Sequence, residues 1–246
     1  MQTLLIDIET VPALADVWGL WNQNIGLNQL REPPGLLCFA AKWLGDSRED
    51  TYFWSDHRHG REVMVKKAHL MLDQADVVET WNGKRFDVPH LNREFLELGL
   101  NPPSPFQQTD LMEVAKKRFR FPSNKLQYVS TALGFHGKVE HEGHTLWVKC
   151  MNGDPEAWER MEEYNKQDVW LLEDIHNRFL PWIQQHPSYA VNGDFVCTRC
   201  GSNRLQRRGE ARTLQSVYQR YQCLDCGGWS RDTKRQRGAM LREVAA

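Results

Sequence analysis

The sequence predicts an α/β protein, a mixed five-stranded sheet flanked by helices, with a small separate module at its C-terminus. Three β-rich runs arrive before any strong helical pattern, and later strand-like runs alternate with helical ones. From residue 195 onward the charge and the cysteine content both change.

The strands are expected at 3–8 (TLLIDI), 37–43 (LCFAAKW), 51–54 (TYFW), 77–81 (VVETW) and near 106–108. The first three suggest an antiparallel meander. Helices are expected at 61–75, at 87–98 with Pro89 in the first turn, at 109–119, at 125–134, and along 155–182 with a break near Tyr164. Residues 12–36, with Trp18 and Trp21 between Pro12 and Pro33-Pro34, read as a helix packed over the sheet edge, with a nucleic-acid-facing loop as the alternative. Residues 136–153 hold His136, His141 and His144 at spacings that fit no familiar metal pattern, so a solvated loop is expected there.

At 246 residues and 41% apolar, the chain can bury one α/β core and still carry an appendage. The net charge of -1 hides a division: residues 1–194 hold 20 Lys+Arg against 28 Asp+Glu (-8), and 195–246 hold 11 against 4 (+7). The expected organisation is a large domain over 1–185, a linker over 186–194, a small cysteine-bearing module over 195–230 and a basic tail over 231–246. No run of eighteen apolar residues occurs, so no membrane contact and a cytoplasmic location are expected. Cys38 and Cys150 stand alone, as inert thiols in a reducing compartment would.

Alternation puts Asp7 and Glu9 on one face of the first strand and Ile6 and Ile8 on the other. Two carboxylates make a poor core face. Tyr164 and Asp168, four residues apart, share a helix face, while Val169, Leu171 and Leu172 anchor that helix. Asp87 opens a helix after Trp81-Asn82-Gly83-Lys84-Arg85-Phe86, where an acid also favours the helix dipole. Each feature alone has an ordinary structural explanation. Together they form a set of hard oxygen ligands suited to Mg²⁺ or Mn²⁺.

In this order, the DxE ending the first strand, the Asn four residues before FD, and the late YxxxD resemble the DEDD exonuclease superfamily in its tyrosine branch, over roughly residues 1–185. That family includes polymerase proofreading domains and the ribonuclease D group. The resemblance implies an RNase H-like fold and two-metal hydrolysis of phosphodiester bonds in the 3′-5′ direction on single-stranded nucleic acid. It implies that Asp7, Glu9 and Asp168 hold the cation that carries the attacking water. Asp7 would bridge to a second cation, Asp87 would support the second through water, and Tyr164 would orient the nucleophile. It implies that Asn82 and Phe86 meet the terminal nucleotide, Phe86 by stacking, and that Thr10 and Val11 line the cleft. Lys84, Arg85 and Lys166 lie within the motifs and are candidates for phosphate contact. The FDVPHL context favours DNA over RNA, and a replication or repair protein is a possible partner. An exoribonuclease and a non-catalytic adaptor are the alternatives, and a phage or a bacterium is the expected source.

Cys197-x-x-Cys200 and Cys223-x-x-Cys226, each followed by Gly, have the spacing of a tetrahedral Zn²⁺ site, with SVYQRYQC between them alternating like a strand. This module resembles a zinc ribbon, a family whose members bind nucleic acids or proteins. Arg207, Arg208 and Arg220, with nearby Tyr218, Tyr221 and Trp229, suggest a sequence-tolerant phosphate-binding surface. A ribbon that docks on protein or braces the catalytic domain is the alternative.

Overall fold

A computed structural model describes residues 1–135, 142–184 and 186–241. The chain divides into two compact units, Met1–Ile175 and His176–Ala246.

The first unit is built on a mixed sheet of β1 (Thr3–Thr10), β2 (Leu36–Trp43), β3 (Tyr52–Ser55), β4 (Val77–Thr80) and β5 (Gln107–Asp110). The spatial order is β3-β2-β1-β4-β5. β1 pairs antiparallel with β2 and β2 with β3, whereas β4 lies parallel to both β1 and β5. This is the meander followed by parallel additions that the order of strand and helix signals predicts. Helices α1 (Arg61–Gln74), α2 (Asp87–Glu97), α3 (Leu111–Arg118), α4 (Leu126–Ala132), α5 (His144–Met151) and α6 (Pro155–Phe179) complete the flanking elements.

The alternation of β1 divides the core in two. Leu4, Ile6 and Ile8 pack with Met64, Val65, Ala68 and Leu72 of α1 and with Leu91 and Phe95 of α2. Leu5, on the other face, packs with Leu37, Cys38 and Ala40 of β2, Leu146 of α5, and Trp158, Met161, Tyr164 and Val169 of α6. Asp7 and Glu9 share the parity of Leu5, so they emerge on the α6 side. Helix α6 starts where Asp154 Oδ1 accepts from the Glu156 and Ala157 amides, with Pro155 in the first position, which has no N–H to satisfy. It is held to β2 by the buried Lys42, whose Nζ lies 2.7 Å from Glu173 Oε1, and to Thr51, just ahead of β3, by Trp170 Nε1 donating to Thr51 Oγ1 at 2.7 Å.

Three expectations are corrected. Helix α6 runs unbroken through Tyr164, because no Gly or Pro interrupts it and its apolar stripe continues past that residue. Residues 12–36 form no packed helix. They make a two-stranded pairing of Leu14–Ala15 with Leu30–Glu32, and Trp18 and Trp21 are 98% and 84% exposed. In the histidine-rich stretch, His136 and His141 lie outside the described residues, whereas His144 opens helix α5 rather than sitting in a loop.

In the second unit, β6 (Leu205–Arg212), β7 (Ser216–Cys223) and β8 (Trp229–Arg231) form an antiparallel sheet with β7 central. Arg237–Gly238 pairs with Val217 and Ser216, so strand pairing extends into the segment expected to be a basic tail. His186 is buried, Tyr189 stacks on it, and the Tyr189 amide donates to the Thr198 carbonyl, so packed residues occupy the segment expected to be a linker.

Candidate active site

Asp7 and Glu9 come from β1 and Asp168 from α6. Carboxylate oxygens of the three lie within 4.8 Å of one another. Two oxygens sharing one divalent cation sit at most about 4–5 Å apart, twice the metal–oxygen distance, so this donor set fits a hard cation. Between Glu9 and Thr10 the pairing with β2 slips, Glu9 lying opposite Cys38 and Thr10 opposite Leu36. Such a bulge bends the strand just where the acidic pair ends, and Val11 is held there by its amide donating to the Gly35 carbonyl at 2.8 Å.

Asp87, at the start of α2, is not within that group. It is 3% exposed, and its Oδ1 accepts from the Ile8 amide at 3.1 Å, which ties α2 to the strand between the two acids. Burial pushes its carboxyl up to about 7, the Ile8 amide opposes this, and the nearby Asp110 carboxylate adds to it.

Asp110 is a residue that sequence reasoning passed over. It caps α3 by accepting from the Met112 and Glu113 amides, and it also accepts from the amides of Asn82 at 3.0 Å and Lys84 at 3.4 Å. The WNGK turn leading to Asp87 is thereby fixed. Asn82 adopts φ +71°, and a Cβ on Gly83 would collide with the Thr80 side chain, so this turn requires its glycine. Phe86 is 38% exposed and packs against the His90 ring at 4.6 Å, a position outside the core. Lys84 is ion-paired with Glu113, Lys166 with Glu162, and Arg85 is exposed.

Tyr164 is buried on α6, one turn before Asp168, with the Trp147 ring of α5 edge-on to it at 6.0 Å. Burial first, and then the Asp168, Glu9 and Asp7 carboxylates, push its phenol well above the ordinary range. The hydroxyl therefore stays protonated at neutral pH in the cation-free protein. Asn165, also missed from the sequence, is fully buried. Its Nδ2 donates to Asp7 Oδ2 at 2.7 Å and to the Asp7 carbonyl at 3.3 Å, and its Oδ1 faces the Cys38 thiol. Its i,i+3 spacing from Asp168 was the available signal. The Cys38 thiol is pushed well up by burial, with Glu9 and Asp7 adding to it, so it is inert.

In the second unit, sulfur atoms of Cys197, Cys200, Cys223 and Cys226 lie within 4.8 Å of one another. The Cys197–Cys226 and Cys200–Cys223 separations are 3.6 and 3.7 Å. These are too long for disulfides and close to the ~3.8 Å edge of a tetrahedron with ~2.3 Å Zn–S bonds. Each CxxC forms a knuckle in which Gly201 or Gly227, at φ +74° and +75°, returns its amide to the first cysteine's carbonyl. The Arg199 and Gly228 amides point at Cys197 and Cys226 sulfur at 3.4 and 3.3 Å, as they would toward thiolates. Burial opposes the Cys223 thiolate, but the Cys226 and Asp225 amides and the Cys200 and Cys226 thiols outweigh it and bring its pKa to about 7. Arg207, Arg208 and Arg220 all lie on exposed positions of β6 and β7.

The RNase H superfamily profile matches residues 30–180, more than half of the chain, and the chain belongs to that superfamily. This membership supports a nuclease hydrolase. Asp7 and Glu9 precede the matched stretch, but β1 is paired between β2 and β4, both of which lie within it. The family B DNA polymerase from the hyperthermophilic archaeon Pyrobaculum calidifontis shares the fold at a TM-score of 0.59 and 15% identity, over 90% of this chain and 33% of the polymerase. The chain thus spans about a third of that polymerase's length. No curated protein sequence matches it. Among the described residues, no helix is long and apolar enough to cross a membrane.

Proposed function

We propose that this protein is a divalent-cation-dependent 3′-5′ exonuclease of the tyrosine branch, releasing nucleoside monophosphates from single-stranded nucleic acid, DNA in preference to RNA. The observation that carries the reading is the convergence of Asp7, Glu9 and Asp168 within 4.8 Å on an RNase H-like sheet. These acids would hold two Mg²⁺ or Mn²⁺ ions, Asp87 serving the second, which would supply Lewis acidity toward the phosphate and lower the pKa of water.

The chain's own residues do the rest. Asn165 fixes the orientation of the Asp7 carboxylate. Tyr164 holds the attacking water through its hydroxyl. Phe86, half-exposed beside the WNGK turn, offers a ring face to the terminal base, which suits an enzyme indifferent to sequence. Asn82, Lys84, Thr10 and Val11 border the same cleft. In the second unit the four cysteines would hold a structural Zn²⁺ that organises a ribbon whose Arg208 and Arg220 help hold the strand, while Arg207 is paired with Tyr221 on the other side of the sheet. The preference for DNA rests on the FDVPHL context and on fold analogy to a DNA polymerase, which also makes a replication or repair protein the expected partner. Reduced, closely spaced thiols fit a cytoplasmic setting.

The test uses 3′- and 5′-labelled single-stranded DNA and RNA, with Mg²⁺, Mn²⁺ or chelator, alongside Asp7→Ala. Stepwise loss of nucleotides from the 3′ end that needs the cation and vanishes in Asp7→Ala is the expected result. Cation-independent cleavage, or full activity in Asp7→Ala, overturns it. Faster RNA cleavage makes the protein an exoribonuclease, and no cleavage of any substrate makes it an adaptor.

A further inference from the structure

We infer that one face of the second unit's sheet, carrying Arg208, Tyr218, Arg220, Trp229 and Arg231, is a binding surface for unpaired nucleic acid. This deepens the nuclease reading and rests on it for the choice of a single strand as partner. The pairing register defines the face. Arg220 of β7 lies directly opposite Arg231 of β8, and Gln222 lies opposite both Trp229 and Gln206. Tyr218, Arg220 and Gln222 alternate onto one side of β7, together with Trp229, Arg231, Gln206 and Arg208. Arg208 Nε donates to Gln206 Oε1 at 3.0 Å, as neighbours on one side do. No Asp or Glu belongs to this set.

Two like charges directly opposite each other across paired strands oppose folding. Three other arginines of the unit are paired with acids: Arg204 with Asp225, and Arg212 and Arg237 both with Glu210. Among the described residues, Arg220 and Arg231 have no carboxylate partner. Each instead lies over a ring, Arg220 over Trp229 at 4.6 Å and Arg231 over Tyr218 at 3.8 Å. The contacts hold the guanidinium planes against the sheet and leave their charge unneutralised. The arrangement along the face is aromatic, cation pair, aromatic. A phosphate neutralises the central pair, and flanking bases stack on the ring and guanidinium planes. Duplex bases hide their π-faces, so the occupant is single-stranded. Tyr221, on the opposite side of β7, is buried and meets Phe195 edge-on, so the two sides of the strand differ at its centre.

The test uses the full-length, zinc-loaded chain. Anisotropy of labelled oligo-dT, oligo-rU and a blunt duplex is followed against salt for wild type, Arg220→Gln/Arg231→Gln and Trp229→Ala. Arg212→Gln, on the other face, serves as control. Zinc content establishes that each variant is folded, and hydrolysis of a mononucleotide p-nitrophenyl ester with Mn²⁺ reads the first unit separately. The double variant is expected to bind both single strands at least about tenfold more weakly, with the salt slope reduced by about 0.7 for the one phosphate contact. Trp229→Ala should lose about tenfold with little change in slope. Unchanged affinity and slope in a zinc-loaded double variant overturn the surface, as does wild-type binding to duplex as tight as to single strands. Wild type that binds oligonucleotides but does not hydrolyse the ester points instead to failure of the nuclease reading.

Discussion

Asn165 Nδ2 donates to Asp7 Oδ2 at 2.7 Å, joining α6 to β1 across 158 residues of sequence. The bond fixes the orientation of the acid proposed to bridge two cations, and such supporting bonds commonly carry 10–100-fold in metal affinity. Asn165→Ala is therefore expected to raise the Mn²⁺ concentration needed for half-maximal cleavage by about 10–100-fold. It should also lower stability by about 1–3 kcal/mol, because a buried hydrogen bond is lost. Titration of cleavage against Mn²⁺ checks this. An unchanged requirement in a folded variant refutes the role.

Tyr164 presents a separate case, because its ring and its hydroxyl do different work. The ring packs against Trp147 and the core, while burial keeps the hydroxyl protonated. Tyr164→Phe should leave stability within about 1 kcal/mol, since volume is conserved. It should lower kcat by up to about 10²-fold with little change in KM, as expected when a positioning contact is lost. A general-base role would give a pH–rate profile that changes shape in Tyr164→Phe. The positioning role predicts the same shape at a lower rate.

The parts of this fold written in local patterns were legible. The β1 alternation that puts Leu4, Ile6 and Ile8 in one core and Asp7 and Glu9 on the other face is a period-2 signal, and the sheet follows from the order of such signals. The CxxC knuckles carry their own glycines. What the sequence concealed depends on distant partners. Asp110 looks like an ordinary helix cap, and only the fold shows it also accepting from Asn82 and Lys84. Asn165 is one polar residue among several on α6 until β1 is brought beside it. Trp18 and Trp21 depart from the packing expected of aromatic residues, because the two-stranded pairing after β1 leaves both exposed.

Asp87 sets a pH dependence whose sign follows from its raised pKa. The unfolded chain releases this proton near pH 4, while the folded, cation-free protein keeps it to about 7. Asp87 therefore contributes fully below pH 4, and its contribution is lost as pH rises through 7, on the order of 4 kcal/mol for roughly three units. Asp87→Asn keeps an oxygen that can accept from Ile8 and removes the titration. Without added Mg²⁺ or Mn²⁺, the stability of wild type relative to Asp87→Asn should fall between pH 5 and 8, read from urea midpoints. A difference that stays constant with pH would refute the assignment.

The four-thiol cluster makes the last prediction. Amides are directed at Cys197 and Cys226 sulfur, and a Cys223 pKa of about 7 leaves that thiol about half ionised at neutral pH in the metal-free site. A cation there must still displace protons from the remaining thiols, so Zn²⁺ affinity should rise steeply with pH. Cys226→Ser removes a ligand whose thiol burial otherwise holds well above its ordinary value. The variant should lose its zinc, one ion per chain by atomic emission, and amide-exchange protection should collapse across β6, β7 and β8. The first unit has its own core, so β1 and β4 should keep their protection and ester hydrolysis should persist. Rapid reaction of all four thiols with a disulfide reagent in the native wild type would refute the metal site, because coordinated thiolates are shielded from exchange.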